Sequence, residues 1–300
     1  IMMVTNARPE FVTHALGSIR RQDYPADLIK EVIIVDDSPA ELRVPGLSPG
    51  GSLHHGLRIN YVTCSHRSIG AKRELAASLA TGDAIVHWDD DDFYGHTRLR
   101  EQLAPFADGT ADLTVLPHSH TYLMHTDELL VARHPGGLGD CSTGCGMTSR
   151  ASHGPHFGTL AYRASLLVPG RVGFPDASEG EDYTFAQRAV LLGGGTLRVV
   201  VPPAAGAAPP LFVCVRHTSN TWRWKEEEEE EEEEGASSST SSSRSSRVSH
   251  AAASTLLSGR DRAFAATMRS RRVLEALPAR RAAAPALRRA PPSDMRPDYF

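Results

Sequence analysis

Cysteine is scarce: Cys64, Cys141, Cys145 and Cys214 are the only four in 300 residues. That is too few, and too scattered, for a disulfide framework in a chain this long. Cys141 and Cys145, in CSTGCGM, have the look of half a zinc site. A second pair at matching spacing is missing, so free thiols in a loop are the plainer expectation. Long apolar runs are missing too; nothing approaches the roughly 18 residues of a membrane-spanning helix. Neither sign of charge dominates, with a formal net charge of −4, a sequence pI near 6.4 and 40% hydrophobic residues. Specific nucleic-acid binding is not expected from that balance, which suits one soluble domain, or one domain plus a tail. The chain opens at Ile1 in a strand-like run, as if its amino terminus were incomplete and a signal or anchor missing, which leaves the compartment open.

Composition divides the chain at Trp224. Residues 225–250 are a glutamate run followed by a serine run, KEEEEEEEEEGASSSTSSSRSSRVSH. Such a segment buries too little to offset its chain entropy and reads as a disordered linker. Residues 251–300 are rich in Ala and Arg, with LLSGRDRAFAATMRSRRVLEAL readable as one helix. The expectation there is a loosely attached tail, partly helical or disordered. The folded block is residues 1–224. Within it IMMVT, EVIIVDDS, RINYVTC and GDAIVHWDD read as strands. EFVTHALGSIRRQ carries Phe11, Val12, Ala15, Leu16 and Ile19 at helical spacing, and SIGAKRELAASLA is a second helix. Strands alternating with helices predict an α/β fold with a mostly parallel sheet flanked by helices. In such sheets ligands sit beyond the carboxyl ends of the strands, so Asp36 and Asp37, and Asp89 to Asp92, should face one crevice.

The four consecutive aspartates of AIVHWDDDDFYG pose a physical problem. Neighbouring carboxylates repel by about 1 kcal/mol per pair at roughly 4 Å in water, and by several times that where water is scarce. A divalent cation would offset this, since carboxylate oxygens are the preferred ligands of Mg²⁺, Mn²⁺ and Ca²⁺. In an extended chain Asp89 and Asp91 would point one way and Asp90 and Asp92 the other. Mg²⁺ usually keeps few protein ligands and takes substrate phosphates as well, which points to a phosphorylated ligand.

Taken in order, VTNARPEFVTHALGSIRRQDYP, IIVDDS, SIGAKRELAASLATGDAIVHWDDDDFY, GTLAYRASLL, GEDYTFAQRA and VRHTSNTW resemble the family 2 glycosyltransferases of GT-A fold, from residue 3 to about residue 224. The resemblance implies a Rossmann-like catalytic domain. It would move a hexosyl or related sugar from a nucleoside-diphosphate sugar, UDP first, to an acceptor hydroxyl with inversion, aided by Mn²⁺ or Mg²⁺. Asp37 matches the position that hydrogen-bonds the nucleotide base. Asp89 and Asp91 match the ends of the D-x-D motif, the second being the usual metal ligand, and Asp90 lies near the ribose in some relatives. Asp182, with Glu181 beside it, matches the catalytic base, and His217 the late histidine that approaches the metal or diphosphate. The chemistry agrees: a cation neutralises the departing phosphate, and a carboxylate takes the acceptor proton. Read without the resemblance, Glu181 and Asp182 are equally well helix-start charges favoured by the macrodipole.

Lys72 and Arg73, near the start of the second helix, are candidates for steadying the diphosphate, or else ordinary solvated helix charges. Trp222 and Trp224 could stack on a sugar or close the core. The segment VTNARPE lacks the family's base-stacking aromatic, and Glu74 stands where relatives usually have Asn. Residues 118–156, rich in His and Gly, fall where acceptor specificity is built and leave the acceptor unknown: a glycan, lipid or protein hydroxyl. A sugar nucleotidyltransferase would want a glycine-rich loop after the first strand, and TNARPEF has no glycine. A prenyl-type D-D-x-x-D site fails because Phe93 stands at the fifth position. A glycosidase carboxylate pair does not explain four aspartates. The rival from another class is a non-catalytic nucleotide- or sugar-binding module on a degenerate scaffold.

Overall fold

The computed structural model describes residues 1–40, 52–54, 56–132, 154–201, 210–217, 245–247 and 257–270, with positions 44, 47 and 220. The first elements are β1 (Met2–Thr5), α1 (Pro9–Arg20), β2 (Val32–Asp36), β3 (Ser52–His54), β4 (Leu57–Thr63), α2 (Ile69–Leu79), β5 (Ala84–Val86) and β6 (Phe93–Tyr94). Then come α3 (Arg98–Ala107), β7 (Leu113–Pro117), β8 (His120–Leu123), β9 (Glu128–Ala132) and β10 (Pro155–Arg163). The last are α4 (Glu181–Leu191), β11 (Leu197–Val199), β12 (Phe212–Arg216), β13 (Ser245–Arg247) and α5 (Gly259–Ser270).

β1 and β2 are buried at every position, the continuous apolar pattern of strands covered on both faces. They pair in parallel from Met2↔Ile33 to Thr5↔Asp36, and β2 pairs in parallel with β4. A parallel bridge from Met2 to His87 joins this sheet to β5, and the Trp88 amide donates to the Met2 carbonyl at 2.9 Å. Beyond β5 lie β10, β7 and β11, with β10 antiparallel to both its neighbours. A smaller sheet runs β13-β9-β8-β12-β6. The architecture is mixed α/β with parallel-rich sheets, so the carboxyl ends of β1, β2 and β5 share one rim.

Both expected helices form for legible reasons. α1 starts with Pro9, whose missing N–H costs nothing there, and buries Phe11, Val12, Ala15, Leu16 and Ile19. α2 is capped by Ser68, whose hydroxyl accepts the Ala71 amide at 3.0 Å. Its Gly70 is required by close approach: a Cβ there would fall 1.9 Å from the Pro175 carbonyl oxygen.

Two expectations are corrected. The fourth strand stops at Val86 and the chain turns at Asp90 and Asp91, so the aspartates do not alternate strictly across a strand. The helix expected in a loose tail is docked. Leu257, Ala265 and Met268 join Phe11, Phe93, Tyr122, Met124, Leu129, Val213 and Val215 in one apolar cluster. His14 Nε2 meets Asp261 Oδ1 at 2.9 Å, and Arg269 meets Asp127 at 2.9 Å. Among the described residues no helix is long and apolar enough to cross a membrane. The glutamate run, Cys141, Cys145, Trp222 and Trp224 lie outside the described residues, as does most of the His- and Gly-rich stretch, residues 133–153.

Candidate active site

At the end of β2 the Asp37 carboxylate is fully occupied by the protein itself. Oδ1 accepts from Lys72 Nζ at 2.6 Å and Asn6 Nδ2 at 2.9 Å. Oδ2 accepts from the Arg67 amide at 3.1 Å and lies 2.9 Å from His66 Nδ1. Burial works against the charge, but the hydrogen bonds from Lys72 and Asn6 hold this carboxyl below its usual value. Lys72 also donates to the Thr5 carbonyl at 3.0 Å. An open groove of about 490 Å³ runs alongside, lined by His66, Arg67, Ser68, Ala71, Asp176 and Ser178.

The aspartate run follows β5, and its start is fixed from below by Arg98. That side chain is fully buried, with its guanidinium 4.6 Å from the Trp88 ring centroid and 4.1 Å from that of Tyr94. It donates to the His87 carbonyl at 2.7 Å and the Thr159 carbonyl at 3.2 Å. The Asp89 amide donates to Tyr94 Oη at 3.1 Å.

Each aspartate then takes a different partner. Asp89 meets Arg73 at 3.0 Å. Asp90 accepts from Thr5 Oγ1 at 2.6 Å and sits 2.7 Å from Arg8. Asp91 Oδ2 meets Arg8 at 2.6 Å, and His217 Nε2 and Asn220 Nδ2 at 3.2 Å each. Asp92 accepts the Val215 amide at 2.8 Å. The repulsion is thus relieved by two arginines and by unequal ionisation. Burial pushes Asp90 up to about 7, against the pull of Arg8. Burial and the neighbouring Asp91 and Asp89 push Asp92 well above its usual value. Asp91, despite its burial, is held low by Arg8 and by the His217 hydrogen bond.

Arg73 ties this tip to α4. Its guanidinium lies 3.0 Å from Asp89, 2.9 Å from Glu181 and 3.4 Å from Asp182. Gly180, at φ +68°, turns the chain into the helix so that both acids fall in its first turn. The Glu181 side chain is 6% exposed and that of Asp182 20%, so Asp182 is the one a ligand can reach. Burial raises Glu181, with Arg73 opposing and Asp182 adding to the rise. Lys72 and Arg73 are buried, so they are not solvated helix charges. Glu74 is structural, accepting the Phe174 amide at 2.7 Å.

Asp91 and His217 offer oxygen and nitrogen donors within 3.2 Å of each other, a set that suits a divalent cation. Asp89 is turned to Arg73, and no group of three acidic, His or Cys side chains is gathered for an ion among the described residues. Mg²⁺ and Mn²⁺ accept such sparse sites, completing their shell with water and phosphate. Site residues missed in the sequence include Thr5, Asn6 and Arg8 and, late in the chain, Asn220 beside Asp91. For the first three the available signal was their position, at and just after the end of the first strand and so on the same rim as the aspartates. Ala7, at φ +53°, bends the chain there, and Arg8 follows it back over the acidic tip. His156 stands close by, within 3 Å of the point where a Cβ on Gly158 would also meet Asp89. Burial and the Arg216 charge push its imidazole down to about 3, which keeps it neutral.

The model of the family described as glycosyl transferase family 2 matches residues 1–153. Among solved structures, S. aureus TarS aligns at a TM-score of 0.50 and 18% identity, over 72% of this chain and 36% of TarS. S. aureus TarS 1-349 in complex with UDP-GlcNAc aligns at 0.48 and 17%, over 72% and 58%. The mannosyltransferase PcManGT from Pyrobaculum calidifontis, in complex with GDP-Man and Mn²⁺, aligns at 0.47 and 20%, over 72% and 55%. The chain spans less than two thirds of the length of each of these proteins. At such identities the likeness is one of fold. No curated protein matches the chain.

Proposed function

The chain belongs to glycosyl transferase family 2, and from that premise we propose that it moves a sugar from a nucleoside-diphosphate sugar to an acceptor hydroxyl with inversion. UDP is the nucleotide to test first. The observation that carries this reading is the Arg73 junction, which brings Asp89 and the Glu181–Asp182 pair to one cation although they come from separate elements. That puts a strand-end carboxylate and a candidate base against the same space, as attack at a phosphate-linked carbon requires.

Asp182 takes the acceptor proton, because it is the more exposed of the pair. Glu181, buried against Arg73, fixes that guanidinium in place. Asp37, Asn6 and the groove past His66 and Arg67 receive the nucleotide base. The base must compete there for a carboxylate that already accepts several hydrogen bonds. Asp91 and His217 would hold a divalent ion, Mn²⁺ or Mg²⁺. When bound, that ion supplies Lewis-acid neutralisation of the leaving diphosphate. Arg8, already against Asp90 and Asp91, is a second source of positive charge at the same place. The catalytic unit is residues 1–224 together with whatever the carboxyl-terminal segment adds to it.

The test is a panel of nucleotide sugars, with and without EDTA, scored by release of nucleoside diphosphate. Release with one donor that EDTA abolishes and Mn²⁺ restores is the expected result. No release under any condition would favour a binding module instead.

A further inference from the structure

Helix α5 meets the site at Phe11. The Phe11 ring stacks on the His217 imidazole, centroids 4.7 Å apart and planes 27° from parallel. On another side it takes Phe264 edge-on at 5.3 Å. Phe264 stacks on His14 at 4.2 Å, and His14 also lies edge-on to Phe93, the residue directly after the aspartates, at 5.5 Å. The helix is held in one register as well as buried. Asp261 is 8% exposed and accepts from His14 on α1 and from Ser258 Oγ at 2.6 Å. A buried carboxylate tolerates few alternative positions, since losing its partners would leave an uncompensated charge. Arg269 adds a second fixed point at Asp127. The result is a continuous row of rings from α5 through α1 to the imidazole that faces Asp91.

Resting on the role given to His217 above, we propose that Phe264 is a positioning residue. Through Phe11 it holds the His217 ring against Asp91, so the segment beyond the glutamate run completes the active site. The imidazole has Asp91 at one edge and Phe11 on one face. Removing the ring behind Phe11 lets that face relax. A misplacement of about 1 Å at a reacting centre can cost on the order of 100-fold.

The experiment uses the full chain and four variants: Phe264→Ala, Phe264→Leu, His217→Ala and His217→Ala with Phe264→Ala. Binding of Mn²⁺ in the presence of UDP is measured by calorimetry, and turnover by nucleoside-diphosphate release. Cooperative melting of each variant checks that it is folded. Phe264→Ala should weaken Mn²⁺–UDP binding and lower turnover by about tenfold, and the double variant should be no worse than His217→Ala alone. If Phe264→Ala does not fold, the same comparison is made with Phe264→Leu, which keeps an apolar side chain of most of the size but loses the ring. Wild-type behaviour of the folded Phe264 variant, or losses that simply add in the double variant, would overturn the proposal. A His217→Ala variant that binds Mn²⁺–UDP and turns over normally would remove the role of His217 itself, and the proposal with it. That result differs from an impaired His217→Ala beside a normal Phe264 variant, which removes the proposal alone.

Discussion

Replacing Asp37 by alanine should damage the fold more than replacing its partner Lys72 by methionine. The asymmetry comes from who else is present. Among the described residues Lys72 Nζ has only Asp37 and the Thr5 carbonyl, and its side chain is 5% exposed. Without Asp37 a buried ammonium keeps one neutral acceptor, and breaking a buried pair from one side costs about 3–5 kcal/mol. Asp37 is better insured: without Lys72 it still accepts from Asn6 and the Arg67 amide, with His66 nearby. Losing one of several hydrogen bonds to a charge costs roughly 1.5–3 kcal/mol. For a domain of this size each kcal/mol moves the melting temperature by about 2–4 °C. Asp37→Ala should therefore melt about 6–20 °C below the parent, and Lys72→Met about 3–12 °C below it. The pair combined should cost less than the sum of the two. The contribution of Asp37 also has a pH window. Its folded pKa is depressed, so the stabilisation is fully present above the unfolded value of about 3.9 and is lost as pH falls through the lower folded value. Thermal melts tracked by circular dichroism without nucleotide, at neutral pH and near pH 3, measure all of this. A Lys72→Met protein less stable than Asp37→Ala, or an Asp37→Ala gap that persists undiminished at low pH, would refute the reasoning.

Asp182→Asn should keep donor KM near that of the parent and lower kcat by about 10²–10⁴-fold in steady-state assays; normal turnover would show that the base lies elsewhere. Gly70→Ala places a Cβ 1.9 Å from the Pro175 carbonyl oxygen, and the forced separation of α2 from that turn should cost about 1–3 kcal/mol or more by urea denaturation. Chelation should remove nucleoside-diphosphate release without shifting the melting temperature of the nucleotide-free protein, because Arg8 and Arg73 already offset the acidic tip. A large destabilisation by EDTA would mean that an ion is part of the fold.

The first half of the fold was legible because its signals are local. β1, α1, β2, β4 and α2 each announce themselves through apolar period and end in capping or polar residues. The meeting of Asp37 with the aspartate run near Thr5 is also legible in the sequence, since parallel strands put their carboxyl ends on one rim. Arg8 was not, because its partner Asp91 is 83 positions away and nothing local marks the pair. Lys72 and Arg73 look like ordinary helix charges, and only the packing of α2 against the sheet makes them internal counter-ions. α5 is the extreme case. His14 and Asp261 are 247 positions apart, and the low-complexity run between them makes the last helix look like an appendage. The antiparallel β10 was hidden for the opposite reason: its neighbours β5 and β7 come earlier in the chain, so local pattern says nothing of where it inserts.

The lodging of Arg98 against Trp88 and Tyr94 bears on how firmly the acidic tip is held. A buried cation packed against two adjoining rings and pinned to two carbonyls makes the backbone entering the aspartates an anvil. On the other side of that tip the imidazole leans on rings carried by a helix from the far end of the chain, so the two flanks of four neighbouring residues are braced by parts of the sequence far apart from each other.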